Sequence, residues 1–453
     1  MIYTQKVKQA VNLLGLHYYP DNLHYCEKDL IRWLPILKQL QIKWLLLKAP
    51  KNYAIPEPFI RSLIEAQILP VINLNKKIDN LESITDASLL FSTYARWGVK
   101  YIVTFDRPNM ISSWSTSSWY QPELVERFLD VFIPYANLAI DNGLTPIFPP
   151  LEPGGDYWDI TFLRESLLGI KRRGLVKLLQ NLSLSAYSVL PFDRPLNWGK
   201  GGPDRWPGNH PYQTIQENEN HLCFYIFDWY SAISIAILGK PLPTYLLGIG
   251  KNTFSMADKS FHECEPQERA KRLQPLIQSC LGHRGDTISK IEKPFEIEIK
   301  LAENIQACFF YCIAEAPLTD KETLFINDDK LIDEFTLEEW QKLTNSYADS
   351  SYTSHMNIQN KTEVHGIDHY LLLPSYEWGV SEWHYENIRP FVYQQRPTVG
   401  FSIKEAAKSA RVTVVGGPQA FSQEQVQQLV DAGCAVERLY PDGTTVATTK
   451  ANN

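Results

Sequence analysis

Twelve polar side chains stand where apolar, strand-like runs of this sequence give out: His17, Lys48, Asn73, Asp106, Arg107, Asn109, Glu152, Asp156, Asp159, Tyr187, Lys251 and Glu315. Asp106, Glu152, Asp156 and Glu315 are carboxyls. Two carboxyls in different surroundings can divide a reaction between them, one giving a proton and the other acting as base or nucleophile. Arg107 stands beside the first of them. A guanidinium neither gives nor takes a proton near neutral pH, but it keeps a neighbouring carboxylate ionised. Each residue also has a plainer use. Lys48 and Lys251 fit solvated surface positions, His17 a hydrogen-bonded core histidine, and Asp159 a helix N-cap.

Such groups act together only if the chain brings the ends of their strands to one place. The first ~345 residues alternate strand-like and helix-like runs with a regularity that allows this. The strands read as 11–19, 42–50, 68–75, 101–108, a run within 144–159, 182–190, 242–252 and 304–317. The runs between and after them have helical spacing: about 30–40, 57–67, 87–98, 122–142, 160–180, 217–238, 265–282 and 336–348. Eight strand-then-helix units with strands apolar throughout predict a closed (β/α)8 barrel, a TIM barrel, over residues 1–347. An open doubly wound sheet is the competing arrangement. In a barrel the working side chains lie just past the C-terminal ends of the strands, where all twelve residues fall.

Two loops add to that rim. PPLEPGGDYWD (149–159) carries Glu152 and Asp156 around two glycines, which let the backbone fold back over the barrel mouth. PFDRPLNWGKGGPDRWPGNHPY (191–212) has five prolines, four glycines and two tryptophans. A loop of that length inside a compact domain is usually functional or disordered. Trp198 and Trp206, near Arg194 and Arg205, suit an ordered lid that stacks on a ring and hydrogen-bonds hydroxyls. A self-packed Ω-loop with tryptophan as filler is the alternative.

Composition narrows the partners. The 453 residues are 44% apolar and 21% charged, as expected of a folded chain with a sizeable core. A net charge of −7 argues against nucleic acid, which requires a basic face. No run reaches the ~20 apolar residues of a membrane span. The opening MIYTQKVKQAVNLLGLHYYP lacks the apolar core and small-residue cleavage site of a signal peptide, so a cytoplasmic location is expected. The seven cysteines, Cys26, Cys223, Cys264, Cys280, Cys308, Cys312 and Cys434, form no metal-ligand or disulfide pattern, and reduced thiols are expected. No cofactor is expected. Twelve Trp, 23 Tyr and 20 Phe suit either a large aromatic core or faces that stack on sugar rings.

Residues 348–363 are polar and turn-rich and read as a linker. Residues 364–453 begin a second, small Rossmann-like α/β domain. Its parts are a strand at 369–374, helical runs at 381–392 and 422–433, and strands at 411–417 and 435–444. Val-Val-Gly-Gly at 414–417 lacks the third glycine of a dinucleotide fingerprint.

The barrel segment resembles the large clan of retaining glycoside hydrolases, the cellulase-like superfamily. The stretches that carry the resemblance are YIVTFDRPN (101–109) with the downstream Trp114, the LEPGGDYWD loop, and LPTYLLGIG (242–250). The resemblance implies catalytic glutamates after strands four and seven, ~5–5.5 Å apart, one as acid/base and one as nucleophile. Here the strand-four Asn-Glu-Pro of the clan corresponds to Asp106-Arg107-Pro108. The strand-seven position reads Leu247-Gly248-Ile249-Gly250. Both glutamates are thus replaced, by Arg107 and Gly248, and the double-displacement route has neither of its groups.

The resemblance therefore implies a barrel that binds a carbohydrate or related polar ligand through His17, Arg107, Asn109, Trp114, Asp156, Tyr187, Trp198 and Trp206. An active glycosidase with relocated carboxylates, Glu152 with Asp106 or Glu315, is the second expectation. An interaction scaffold is the third. RVTVVGGPQAFSQEQVQQLVDAGCAVERLYPDGTTVAT (411–448) is similar to one bacterial cell-wall-binding repeat, matching at Val415-Gly416-Gly417, Phe421-Ser422, Ala432-Gly433 and Val436-Glu437-Arg438. That similarity implies a possible protein partner for the second domain.

Overall fold

The computed structural model describes residues 12–50, 53–79, 84–191, 193–251, 265–282, 299–315, 324–326, 330–331, 333–345, 367–374, 382–395, 397–439 and 445–448. The chain divides into two compact units, Met1–Tyr347 and Ala348–Asn453. The linker expected at 348–363 lies outside the described residues.

In the first unit eight parallel strands close into a barrel: β1 (Leu14–His17), β2 (Trp44–Lys48), β3 (Leu69–Lys76), β4 (Tyr101–Phe105), β5 (Thr145–Phe148), β6 (Ser183–Tyr187), β7 (Thr244–Ile249) and β8 (Ile305–Phe310). Each pairs with its sequence neighbours, and β1 with β8 completes the ring through Leu14–Cys308 and Gly15–Phe309. The TIM-barrel expectation is met, and the open sheet is ruled out by that closure. The strands are apolar on both sides because both sides are covered. Trp44, Val103, Ile147, Tyr245, Leu247 and Phe309 belong to one buried cluster. A separate and larger cluster joins the other strand faces to the helices. Those helices include α1 (Glu27–Gln39), α2 (Glu57–Glu65), α3 (Ile84–Arg96), α4 (Leu124–Asp141), α5 (Asp159–Arg172), α6 (Ile226–Leu238), α7 (Pro266–Cys280) and α8 (334–345).

Three of the boundaries that differ from the sequence expectation have a visible cause or consequence. The helix expected over 217–238 begins only at Ile226. The asparagines before it are committed to loop backbone instead: Asn218 Oδ1 accepts from Gly208 N–H and Asn220 Oδ1 from Leu222 N–H. The helix expected over 160–180 breaks at Gly174 (φ +67°) into Asp159–Arg172 and Val176–Asn181. The eighth strand stops at Phe310 rather than continuing to 317, and Ala314–Glu315 pairs with Phe325–Ile326 in a small separate sheet.

The second unit is a five-stranded sheet of β9 (Ile367–Leu372), β10 (Thr398–Gly400), β11 (Ser409–Val415), β12 (Ala435–Leu439) and β13 (Thr445–Thr448), in the order β10-β9-β11-β12-β13. All pairs are parallel except β12–β13. Its helix Gln423–Asp431 starts in a capping box, with Ser422 Oγ accepting from Gln425 N–H and Gln425 Oε1 accepting from Ser422 N–H. Buried Arg438 donates to the carbonyls of Gly416 (2.9 Å) and Phe421 (3.0 Å), fastening the glycine turn after β11.

Candidate functional site

Because the barrel strands are parallel, their C-terminal ends share one rim. β4 delivers Asp106 and Arg107 there. Arg107 has φ +45°, a left-handed conformation that costs a non-glycine residue of order 1–3 kcal/mol. Its surroundings impose it. Arg107 N–H donates to Pro150 O (2.9 Å), and the Ser113 hydroxyl bridges the carbonyls of Asp106 (2.9 Å) and Arg107 (2.8 Å).

Around the guanidinium the structure gathers Asp106, Glu152 and Tyr187. Arg107 Nε donates to Asp106 Oδ2 at 3.0 Å, and Arg107 Nη1 lies 3.6 Å from Glu152 Oε2. Tyr187 OH donates to Asp106 Oδ1 at 2.6 Å. Burial alone would lower the Arg107 pKa, but Asp106, Tyr187 and Glu152 outweigh it and hold the group above the ordinary arginine value. Glu152 is 7% exposed, and among the described residues its buried Oε2 is approached only by Arg107 Nη1, at a distance too long for a hydrogen bond. Burial raises its pKa above the usual glutamate value, with the Arg107 charge opposing. Burial also carries Tyr187 well above an ordinary phenol, and the Asp106 carboxylate adds to that.

Asn109 holds the loop that supplies Glu152. It is 0% exposed, donates from Nδ2 to Glu152 O (2.8 Å) and Tyr157 O (2.9 Å), and accepts Glu152 N–H at Oδ1 (2.9 Å). Its contribution is to join the loops after β4 and β5, and its amide has no surface left for a ligand. Gly155 is required beside it, because a Cβ there would meet Asn109 Nδ2 at 2.6 Å. Trp114 is likewise buried, its indole N–H donating to Pro108 O (2.7 Å) and its ring under the Arg127 guanidinium (5.1 Å). Asp156 is exposed and accepts Ile111 N–H (2.8 Å).

A second group forms where β1, β7 and β8 end. Gly248 N–H donates to His17 Nε2 at 2.9 Å, which places the imidazole proton on Nδ1. The Lys251 ammonium sits 3.7 Å from the centre of the Tyr311 ring, and that ring lies 5.5 Å from the His17 ring. Burial, and then the Lys251 charge, lower the His17 pKa from 6.5 to about 3. Between those values the unfolded chain binds a proton that the folded protein refuses. Stability from this residue is therefore complete above pH 6.5 and falls by about 1.4 kcal/mol per pH unit on acidification towards pH 3. His17→Gln keeps an acceptor for Gly248 but does not titrate. Urea unfolding from pH 7 to 4 should show a shallower acid loss in the variant; parallel curves would refute the assignment.

The long loop is ordered by its own polar groups. Trp198 Nε1 donates to Asn220 Oδ1 (3.1 Å) and Trp206 Nε1 to Lys200 O (3.1 Å), with Arg194 and Arg205 each 5.0 Å from the centre of the adjacent ring. Both indoles are half-buried against the core, as in a self-packed loop. Below them Asp159, the first residue of α5, accepts from Gly154 N–H (2.9 Å), His221 Nε2 (2.8 Å) and Tyr230 OH (3.0 Å). Asp159 and His221 are both 0% exposed.

Lys48, the last residue of β2, pairs in register with Asn73, which lies three residues inside the end of β3 rather than past it; Asn73 Oδ1 accepts from Asn75 N–H (3.1 Å). The Glu315 side chain lies outside the described residues. Sequence reasoning missed Ser113, Tyr212, His221, Tyr230 and Tyr311; the hydroxyl and imidazole types were visible, but nothing in their spacing assigned partners. Among the described residues, no three His, Cys, Asp or Glu side chains are placed to hold a metal ion, and no helix is long and apolar enough to cross a membrane.

The fold and site together define a (β/α)8 barrel with an arginine-centred carboxylate cluster at its rim. No family model matches the chain, and no curated protein matches it. Solved structures are similar to it in fold. A monomeric beta-xylosidase from Caulobacter crescentus CB15 is 12% identical, with 75% of this chain and 68% of that one covered and a TM-score of 0.44. A GH10 endoxylanase from a sugarcane soil metagenome is 12% identical over 74% and 97% of the two chains (TM-score 0.42). A beta-galactosidase from Rahnella sp. R3 is 9% identical over 98% and 74% (TM-score 0.43).

Proposed function

We propose that the barrel binds a carbohydrate or related hydroxyl-rich ligand at its C-terminal rim and does not use the double-displacement route. The Arg107 cluster carries this reading. Double displacement needs one carboxyl to give a proton and another to attack the sugar. At the strand-four end stands a guanidinium, and at the strand-seven end a glycine whose N–H is given to His17. The Asp106 and Glu152 side chains are only 9% exposed, whereas that of Arg107 is 36% exposed. The carboxylates thus sit behind the guanidinium and anchor it, leaving donors of Arg107 turned towards solvent for ligand oxygens.

The raised pKa of Glu152 favours one competing reading, in which Glu152 acts as a general acid with Asp106 as its partner. A screen of aryl glycosides together with a glycan array separates the two. Glycan binding without turnover is expected. Steady hydrolysis abolished by Glu152→Gln would establish the relocated pair, and absence of both binding and turnover would favour a scaffold. The same variant has a pH signature. With its folded pKa raised, Glu152 contributes stability in acid that is lost as pH rises through that pKa. Glu152→Gln should therefore gain more in Tm, relative to the parent, at pH 7 than at pH 4. An equal change at both would show that the carboxylate is not disfavoured where it lies.

A further inference from the structure

Tyr212 lies at the turn of a hairpin whose arms are Asn209–His210 and Gln213–Thr214. It combines two costly features. The residue is 65% exposed, so folding recovers little hydrophobic free energy from it, and its φ of +59° is a conformation that residues other than glycine rarely adopt. Yet the residue is held firmly. Its hydroxyl accepts Trp158 N–H (2.9 Å) and donates to Asp156 O (3.1 Å), both in the loop after β5. The Trp158 ring supports it at 5.5 Å.

The base of the hairpin is fastened as well. Asn209 Nδ2 donates to His221 Nδ1 (3.0 Å), and His221 Nε2 rests on Asp159 (2.8 Å). Through Asp156 the same assembly reaches the loop after β4, which carries Arg107. A tyrosine tied at its hydroxyl cannot swing into the core to hide its ring. The fold thus holds a largely exposed tyrosine in a strained conformation, beside the loops that follow β4 and β5.

We infer that Tyr212 is an outer ligand platform, taking the apolar C–H face of a sugar unit beyond the one held at Arg107. The inference rests on the carbohydrate reading above and extends it to ligands longer than a single sugar. An aromatic face with its polar end already satisfied favours such a surface over an anion or a charged peptide. The hydroxyl bonds have a positioning role, and the ring makes the contact.

A glycan array on the full chain, followed by calorimetry on the longest bound glycan and its shorter fragments, tests this with Tyr212→Ala and Tyr212→Phe. The parent should bind longer fragments more tightly. Tyr212→Ala should lose about tenfold on the longest fragment, about 1.4 kcal/mol, and nothing on the shortest. Tyr212→Phe keeps the ring but not the two bonds that position it and should lose less than Tyr212→Ala, and thermal melts verify that both variants fold. A folded Tyr212→Ala that binds the longest fragment as the parent does would overturn the platform while leaving the carbohydrate reading intact. A parent that binds no glycan would overturn both.

Discussion

Asn109→Ala should destabilise the barrel by about 2–4 kcal/mol in chemical denaturation, because the mutation removes three hydrogen bonds and strands two backbone groups at once. The amide has no water to exchange with, being 0% exposed. Removing it leaves Glu152 N–H and Tyr157 O without the bonds it made, while Glu152 O keeps only the Gly155 N–H at 3.0 Å. An orphaned buried donor or acceptor costs about 1–3 kcal/mol, so even partial relaxation leaves a large loss. Asn109→Asp is the sharper comparison. It keeps an acceptor for Glu152 N–H, but it replaces two donated bonds with a negative charge facing two carbonyls. The aspartate should therefore be no better than alanine at neutral pH and should recover in acid. A loss under about 1 kcal/mol for alanine would mean that the two loops are held by other contacts.

This fastening explains which parts of the molecule were legible in its sequence. The barrel was legible because strands covered on both sides must be apolar throughout, and eight such runs alternate with helical spacing. The rim was legible for the same reason, since strand ends are visible as the place where apolar residues stop. The roles on the rim were less so. Asn109, read as a ligand contact, is enclosed by a loop 43 residues further on. Asp159, read as a local N-cap, anchors His221 from 62 residues away. No local pattern encodes such pairings, because they depend on how far each loop folds back over the barrel. Trp198 and Trp206 carry a related lesson. Their type suits stacking on a sugar, but their indole N–H groups and neighbouring arginines are spent inside the loop. Tyr212 shows the reverse, a residue with no sequence signal whose exposure and backbone angle mark it out.

On the proposed reading, the Arg107 cluster also gives the barrel mouth a use other than proton transfer. Two carboxylates close together would repel, and one would be driven to protonate. A guanidinium between Asp106 and Glu152 relieves that repulsion and gains a fixed orientation from it. Under that proposal the cluster serves as an oriented hydrogen-bond donor for a ligand. Its rigidity depends on the loops that surround it, and those loops are tied down at Asp159.

Asp159→Ala is accordingly expected to cost about 3–5 kcal/mol and to release the loop spanning 193–225. Two buried donors, His221 Nε2–H and Tyr230 OH, and the part-buried Gly154 N–H lose their shared acceptor. His221 then lacks the support that orients it towards Asn209, and the hairpin bearing Tyr212 loses its base. Limited proteolysis should cut the variant within this loop under conditions where the parent stays whole. Asp159→Asn separates loss of charge from loss of shape. Its carbonyl can still accept from two of the donors, and the Tyr230 hydroxyl can rotate to accept from the new amide, so its cost should be less than half that of alanine. Equal losses in the two variants would show that the carboxylate charge, rather than the geometry of its three bonds, holds the loop. If both variants melt with the parent and resist protease equally well, the loop is anchored elsewhere, and Tyr212 would owe its position to Trp158 and Asp156 alone.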